Sequence, residues 1–451
     1  MTYSPFRIEV PDEVLDDLRI RLRRTRFASR SGEKPWEGGT DPAYLRDLVA
    51  YWADGFDYRA CEAQLNALPH YQAQGLHFIR IAGTRPTAAL RDVRDAEHAE
   101  DAGDPRDLRD PPDPRDDRDA RDQRDLRDLR DRSDIRDVRD GGDVRDGGDA
   151  QQQGRRASTA EPAPMPILLC HGWPSSFLEM LPLAARLSDP ARHGGDPADA
   201  FDVVIPSMPG FLYSDLPSEP LTRAAMARRL HALMTEVLGY ERYAAFGGDI
   251  GGGSIQWLST LYPQEVAGIH LIHPPFPARF DDPPMSAEEQ AFMDAEAAYD
   301  ESDGGYSAIM GTRPDTIAAA LIDSPVGLAA WIVDKYRDWS DCHGDVESRF
   351  DRDTLLTILT LYWATGSIGT SFRQYYDWDH NTPRPRITVP TAITLSHEPS
   401  MARIPRSIAE RACTNLQRWT EPGRGGHFLA LEEPDLMWQE ITTFLRPLHT
   451  T

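Results

Sequence analysis

The segment GGDIGG, residues 247–252, sets Asp249 between glycines, after the apolar run YAAFG and before SIQWLSTLY. The first run reads as a buried strand and the second as a helix, so the carboxylate falls on the turn between them. A sharp strand-to-helix turn lifts its central side chain clear of the sheet. It leaves no room for side chains two residues before and two after, and Gly247 and Gly251 meet that need. A serine on such a turn attacks carbonyl carbon. An aspartate, ionised at neutral pH, can instead attack a saturated carbon and hold it as an alkyl ester, which points to epoxides or alkyl halides. A glycine-flanked aspartate also suits an ordinary turn, so the chemistry depends on partners elsewhere in the chain.

Three segments offer those partners, in an order compatible with a nucleophile, acid and base relay. HGWP, residues 171–174, follows the apolar strand PILLC, where the backbone N–H of Trp173 can stabilise an oxyanion; the amide of Ile250, next to the nucleophile, is the second donor. GRGGHF, residues 423–428, carries His427 in a glycine-rich loop before the helical pattern EPDLMWQEITTFL, and its imidazole is the candidate general base. Between nucleophile and base, TAITLS reads as a strand followed by His397 and Glu398. Glu398 is the candidate to orient His427, with Asp377 and Asp379 as rivals.

With these motifs in place, the chain resembles the epoxide hydrolases of the α/β-hydrolase superfamily, in the branch of the microsomal and juvenile-hormone enzymes. The likeness rests on PFRIEVPDEVLDDLRIRLRRTRF and YLRDLVAYWADGFDYRACEAQLNALPHY near the start. It continues in TRPDTIAAALIDSPVGLAAWIVDKYRDWSD in the middle and RGGHFLALEEPD near the end. It spans the chain from about Pro5 onward, one inserted stretch excepted. The resemblance implies a mostly parallel sheet, a helical cap and an N-terminal helical segment that wraps the core. It also implies a cis bond before Pro174, and a pair of cap tyrosines that hydrogen-bond the epoxide oxygen, matched here by Tyr306 and Tyr375; a shift of one residue would exchange Tyr375 for Tyr376. The phenols answer a chemical need, because a ring-opening alkoxide is a poor leaving group. The expected partners are a small-molecule epoxide and water, without metal or organic cofactor, and the resemblance allows a homo-oligomer. A haloalkane dehalogenase shares the aspartate turn but needs halide-binding donors in place of the tyrosines. A catalytically silent hydrolase-fold protein that binds a partner through an Arg-Asp-rich segment is the other rival.

Two stretches depart from the family pattern. TLSHEPSMARIPRS is an unusual form of the acid motif, and Leu212 and Tyr213 stand where relatives begin with glycine, in a loop expected to border the mouth of the site.

The wider composition sets bounds. A formal charge of −24 over 451 residues argues against nucleic acid or an anionic membrane as partner. Four scattered cysteines suggest a reducing cytoplasm, and MTYSPFRIEV has neither the basic nor the apolar stretch of a signal peptide or anchor. The 13 histidines show no paired metal-ligand spacing. From 91 to 150, Arg-Asp pairs recur mostly every third residue, with 14 arginines against 22 acidic residues. A period of three builds no apolar helix face, so disorder is expected, with a short solvated helix between about 117 and 140 as the alternative. The expected organisation is an N-terminal segment at 1–86, this insertion at 87–163, core at 164–273, cap at 274–390 and core again at 391–451.

Overall fold

In the computed structural model, which describes residues 2–84, 163–280, 283–399 and 402–449, nine strands form one sheet in the order β1-β2-β3-β5-β4-β6-β7-β8-β9. The strands are β1 (Ser4–Pro5), β2 (His70–Ala73), β3 (Leu76–Ile81), β4 (Met165–Cys170), β5 (Phe201–Pro206), β6 (Tyr243–Gly247), β7 (Val266–Leu271), β8 (Thr391–Thr394) and β9 (Leu416–Thr420). From β5 through β9 every pairing is parallel, while β1, β2 and β3 join antiparallel at one edge. The expected Arg-Asp-rich insertion, with both conformations considered for it, lies outside the described residues.

β6 and β7 are buried at every position, and β4 and β5 at all but one. Strands covered on both faces read as unbroken apolar runs, which is why YAAFG and PILLC stood out in the sequence. After β4 the chain crosses to β5 on one side and then returns to β6 on the other. Such a reversal opens a crevice at the C-terminal ends of β4 and β6. Side chains delivered by the loops leaving these strands meet there.

The cap is the chain between the neighbouring strands β7 and β8. Its main helices are Ala287–Asp303, Gly305–Thr312, Pro314–Asp323, Pro325–Trp339 and Arg352–Thr365. Their ends are locally determined. Ser286 and Glu289 form a reciprocal capping box at the first, Ser324 caps Pro325–Trp339, and Asp351 caps Arg352–Thr365, which stops at the left-handed Gly366. The N-terminal segment supports this cap. Helix Asp12–Arg23 buries Leu15, Leu18 and Leu22 along one stripe, and the Trp52 indole donates to Thr360 Oγ1 at 2.9 Å inside the cap. Among the described residues no single helix is long and apolar enough to cross a membrane.

The structure corrects three details of the sequence reading. The helix expected from Ser254 begins five residues earlier, at Asp249 itself. Strand β9 and helix Arg406–Ala412 follow β8, where only a terminal helix was anticipated. Leu212 and Tyr213 do not line the mouth of the site: Tyr213 packs on Phe6 and His77, on the side of the N-terminal hairpin.

Candidate active site

Asp249 is the first residue of helix Asp249–Leu261 and has φ +47, a left-handed conformation uncommon outside glycine but best tolerated by Asp and Asn. The turn is crowded as its sequence implied. A Cβ on Gly247 would stand 2.8 Å from the Cys170 carbonyl oxygen, and one on Gly251 would stand 2.3 Å from it. The HGWP loop leaves β4 directly alongside and contains a cis Trp173–Pro174 bond. There the backbone N–H of Trp173 donates to Asp249 Oδ1 at 2.9 Å. The Ile250 amide, the other expected donor, makes no hydrogen bond to the free carboxylate among the described residues.

A histidine that the sequence reading missed ties the turn to the acid. His273, just past β7, accepts the Asp249 backbone N–H on Nδ1 at 2.7 Å and places Nε2 2.7 Å from Glu398 Oε1. Because Nδ1 must be unprotonated to accept, the ring carries its proton on Nε2 and donates it to Glu398. The available signal was position: His273 stands just past the end of a strand whose neighbours also carry chemistry at that end.

Glu398 leaves β8 and His427 follows β9. His427 Nδ1 lies 3.1 Å from the same Glu398 Oε1, with poorer alignment than the bond from His273. Burial opposes charge on Glu398, but the imidazolium of His427 and hydrogen bonds from both histidines outweigh it and hold the carboxyl well below its usual range. Burial likewise opposes charge on His427, yet Glu398 first and then Asp249 raise it to about 9. The rival acids are elsewhere: Asp377 accepts from the Leu221 amide and the Arg373 guanidinium, and Asp379 lies in the exposed turn Trp378–His380.

The glycine-rich loop is held by a carboxylate. Buried Glu432 accepts from the amides of Gly426 at 2.9 Å, Phe428 at 3.1 Å and Asp341 at 2.8 Å, while the His427 amide donates to the Trp339 carbonyl at 2.9 Å. Indole and imidazole then meet, with ring centres 4.8 Å apart. His273, Glu398 and His427 are also the described cluster whose atoms could approach a metal ion, converging within 4.8 Å. Their facing atoms already contact one another, so the donor set reads as a hydrogen-bonded relay.

The cap brings two phenols over the turn. Tyr306 stacks on Trp173 at 5.7 Å, and Tyr375 meets the same indole edge-on at 6.0 Å; the two tyrosine rings are 6.3 Å apart. Tyr376 is 53% exposed, whereas Tyr375 packs on the Trp173 indole beside the turn. Burial is the first cause, and the nearby Asp249 charge a further one, that pushes both phenols far above their usual pKa, so they stay protonated donors. Asp249, His273, Tyr306, Glu398 and His427 all line one cavity of about 1080 Å³.

Comparison with known proteins bears on the family and the fold. Residues 3–90 match the family described as "Epoxide hydrolase N terminus", and residues 165–305 match "alpha/beta hydrolase fold". A relative from Stigmatella aurantiaca, titled "Putative epoxide hydrolase", is 32% identical over 99% of this chain and 85% of its own length. Epoxide hydrolase 1 of Sus scrofa is 26% identical over 98% of this chain and 88% of its own. The crystal structure of juvenile hormone epoxide hydrolase from Bombyx mori superposes with a TM-score of 0.70 at 23% identity, covering 99% of this chain and 94% of that one; at this identity it speaks for the fold.

Proposed function

The chain belongs to the epoxide hydrolase family, and from that premise we propose that Asp249 opens the epoxide as a nucleophile and that His427 returns the enzyme by hydrolysing the resulting ester. The observation that carries this reading is the single cavity into which the carboxylate, the imidazole with its acid, and a cap phenol all open.

The hydrogen bonding divides the roles of the two carboxylate oxygens. Oδ1 is engaged by the Trp173 amide, leaving Oδ2 to attack a ring carbon. As that C–O bond forms, the ring C–O bond breaks, and Tyr306 and Tyr375 donate to the developing alkoxide. The product is a hydroxyalkyl ester whose carbonyl oxygen is Oδ1. His427 then takes a proton from water, hydroxide attacks Cγ of Asp249, and the oxyanion forms on Oδ1, against the Trp173 amide. Collapse expels the vicinal diol, protonated by the imidazolium, and the carboxyl proton left on Asp249 returns to the tyrosine phenolate, which restores the starting enzyme. Glu398 orients the base and stabilises its charge, while His273 holds the turn and the acid in register.

The two tyrosines distinguish this chemistry from halide displacement. Changing Tyr306 and Tyr375 to Phe should each slow the alkylation step by about 10- to 100-fold, and together by roughly 10³-fold or more, as expected for loss of a general acid. Styrene oxide, a terminal alkyl epoxide and a bromoalkane assayed side by side on wild type and both variants are the test. Epoxide turnover that survives both substitutions would remove the tyrosines from the mechanism. Bromide release without diol formation would favour the dehalogenase reading.

A pH dependence follows from His427. In the free enzyme it titrates at about 9, so at neutral pH it is an imidazolium and not yet a base. Esterification neutralises Asp249 and removes one of the charges that raise His427, so its pKa must fall in the intermediate. In stopped-flow experiments the hydrolysis step should therefore rise with pH and reach its plateau below the pH at which free-enzyme His427 titrates by NMR. Coincident values, or the reverse order, would contradict the coupling between the two residues.

A further inference from the structure

Three arginines line the cavity; Arg403 is paired with Glu421, and the reaction above has no use for the other two. Arg223 opens helix Arg223–Ala232, whose Thr222 cap accepts from the Ala225 amide, and its guanidinium lies over the Trp378 ring at 4.6 Å. It also fills the place beside Gly253 where a Cβ would stand, with Nε, Cδ and Cζ 2.6–2.8 Å from that point. Gly253 is four residues, just over one helical turn, beyond Asp249, about 6 Å along the axis. Arg384 donates only to backbone, to the carbonyls of Pro385 at 2.9 Å and Phe276 at 3.3 Å. Both arginines line the same cavity as Asp249, together with Gln256, Asn381 and Thr382.

Among the described residues, neither forms an ion pair with a carboxylate, and Arg223 Nε is buried without a hydrogen-bond partner. A buried guanidinium balanced only at a distance by the Asp249 charge, with no carboxylate bonded to it, is costly, and stacking on one indole recovers only part of that cost. Burial lowers the pKa of both groups, that of Arg384 to about 10; the Asp249 charge opposes this at Arg223, and the Arg223 charge adds to it at Arg384. Of the acidic groups that line the cavity besides Asp249, Glu296 and Asp300 stand on helix Ala287–Asp303, Glu398 is paired with histidines and Glu421 with Arg403. The chain is strongly acidic overall, with 73 acidic residues against 49 basic ones, and yet this wall bears unpaired positive charge.

We propose that Arg223 and Arg384 form an anion subsite beside the nucleophile, and that the preferred substrates are epoxides carrying a carboxylate on a short chain. The subsite rests on the reading of Asp249 as the attacking group. A planar carboxylate matches the guanidinium fork, so binding it would satisfy Nε and neutralise both cations while the oxirane lies one helical turn away over Asp249.

The test is the ratio of kcat/KM for ω-epoxyhexanoic acid to that for its methyl ester, at a pH where the acid is ionised. The wild-type ratio should exceed about 10. It should collapse toward one in Arg223→Met and Arg384→Met, and recover in part in Arg223→Lys. A wild-type ratio near or below one overturns the subsite while leaving ester turnover, and hence the hydrolase reading, intact. A parallel loss for acid and ester in Arg223→Met, with the ratio preserved, also overturns it, because Arg223 would then act on Asp249. Absence of turnover for acid, ester and styrene oxide alike would instead remove the Asp249 reading itself. Wild-type inhibition gives a measure independent of variant folding: hexanoate should compete with styrene oxide at least about tenfold better than hexanamide, and equal inhibition counts against the subsite.

Discussion

Asp249→Asn should lose essentially all diol formation, by at least about 10⁴-fold in kcat/KM, while its circular dichroism and melting curve stay close to wild type. Asparagine is the informative replacement because it tolerates the φ of +47 and keeps an acceptor for the Trp173 amide. What it lacks is the charge and the free oxygen. An alanine would add backbone strain at the same position and confuse loss of chemistry with loss of the turn. A variant retaining a tenth of wild-type activity would mean that water attacks the epoxide directly and that Asp249 is a structural residue.

His427→Gln should separate the two halves of the reaction. Gln fills similar space but accepts no proton from water, so alkylation of Asp249 can proceed while hydrolysis of the ester slows by about 10³- to 10⁴-fold. One epoxide per protein should then be consumed in a burst, and mass spectrometry of the peptide containing Asp249 should show an increase equal to the epoxide mass. The imidazole meets Glu398 on one side and Trp339 on the other, and its loop is tied down by Glu432, so the substitution has a defined cavity to enter. If the variant is inactive without a burst, His427 also serves the first step. If it turns over normally, the base is another group, and His273 becomes the first to examine.

The parts of this site that local chemistry determines were legible in the sequence. An apolar run, two glycines and a carboxylate between them define a strand, a turn and its occupant, because sterics at that turn act over five residues. The helix start is obscured in the sequence by Gly251, Gly252 and Gly253, whose helix propensity is low. In the fold they are buried in the first turns of a helix, and at Gly251 a side chain would collide with the Cys170 and His171 carbonyls. Strand β9, LQRWT, is only partly buried and largely polar, so it lacked the continuous apolar signal of β4, β6 and β7.

Contacts across long stretches of chain were less accessible. Glu398 could be named only alongside Asp377 and Asp379, and what separates them is tertiary: Asp377 is occupied by the Leu221 amide and Arg373, whereas Glu398 meets two histidines. Tyr375 and Tyr376 are likewise distinguished only in the fold, where one ring packs on Trp173 and the other is exposed. His273 carries no motif at all; its meaning comes from the Asp249 amide 24 residues earlier and a carboxylate 125 residues later. Arg223 and Arg384 are in the same position, since an unpaired cation is visible only after the partners of every charge are known.

The central claim is that a carboxylate oxygen of the protein, rather than water, makes the first bond to the substrate. Single-turnover reaction in ¹⁸O-water with enzyme in excess tests it most directly. Attack by Asp249 requires the diol of that first turnover to be unlabelled and one ¹⁸O to appear in the Asp249 carboxylate, with labelled diol emerging only on later turnovers. Label in the first-turnover diol and none in the protein would contradict the account.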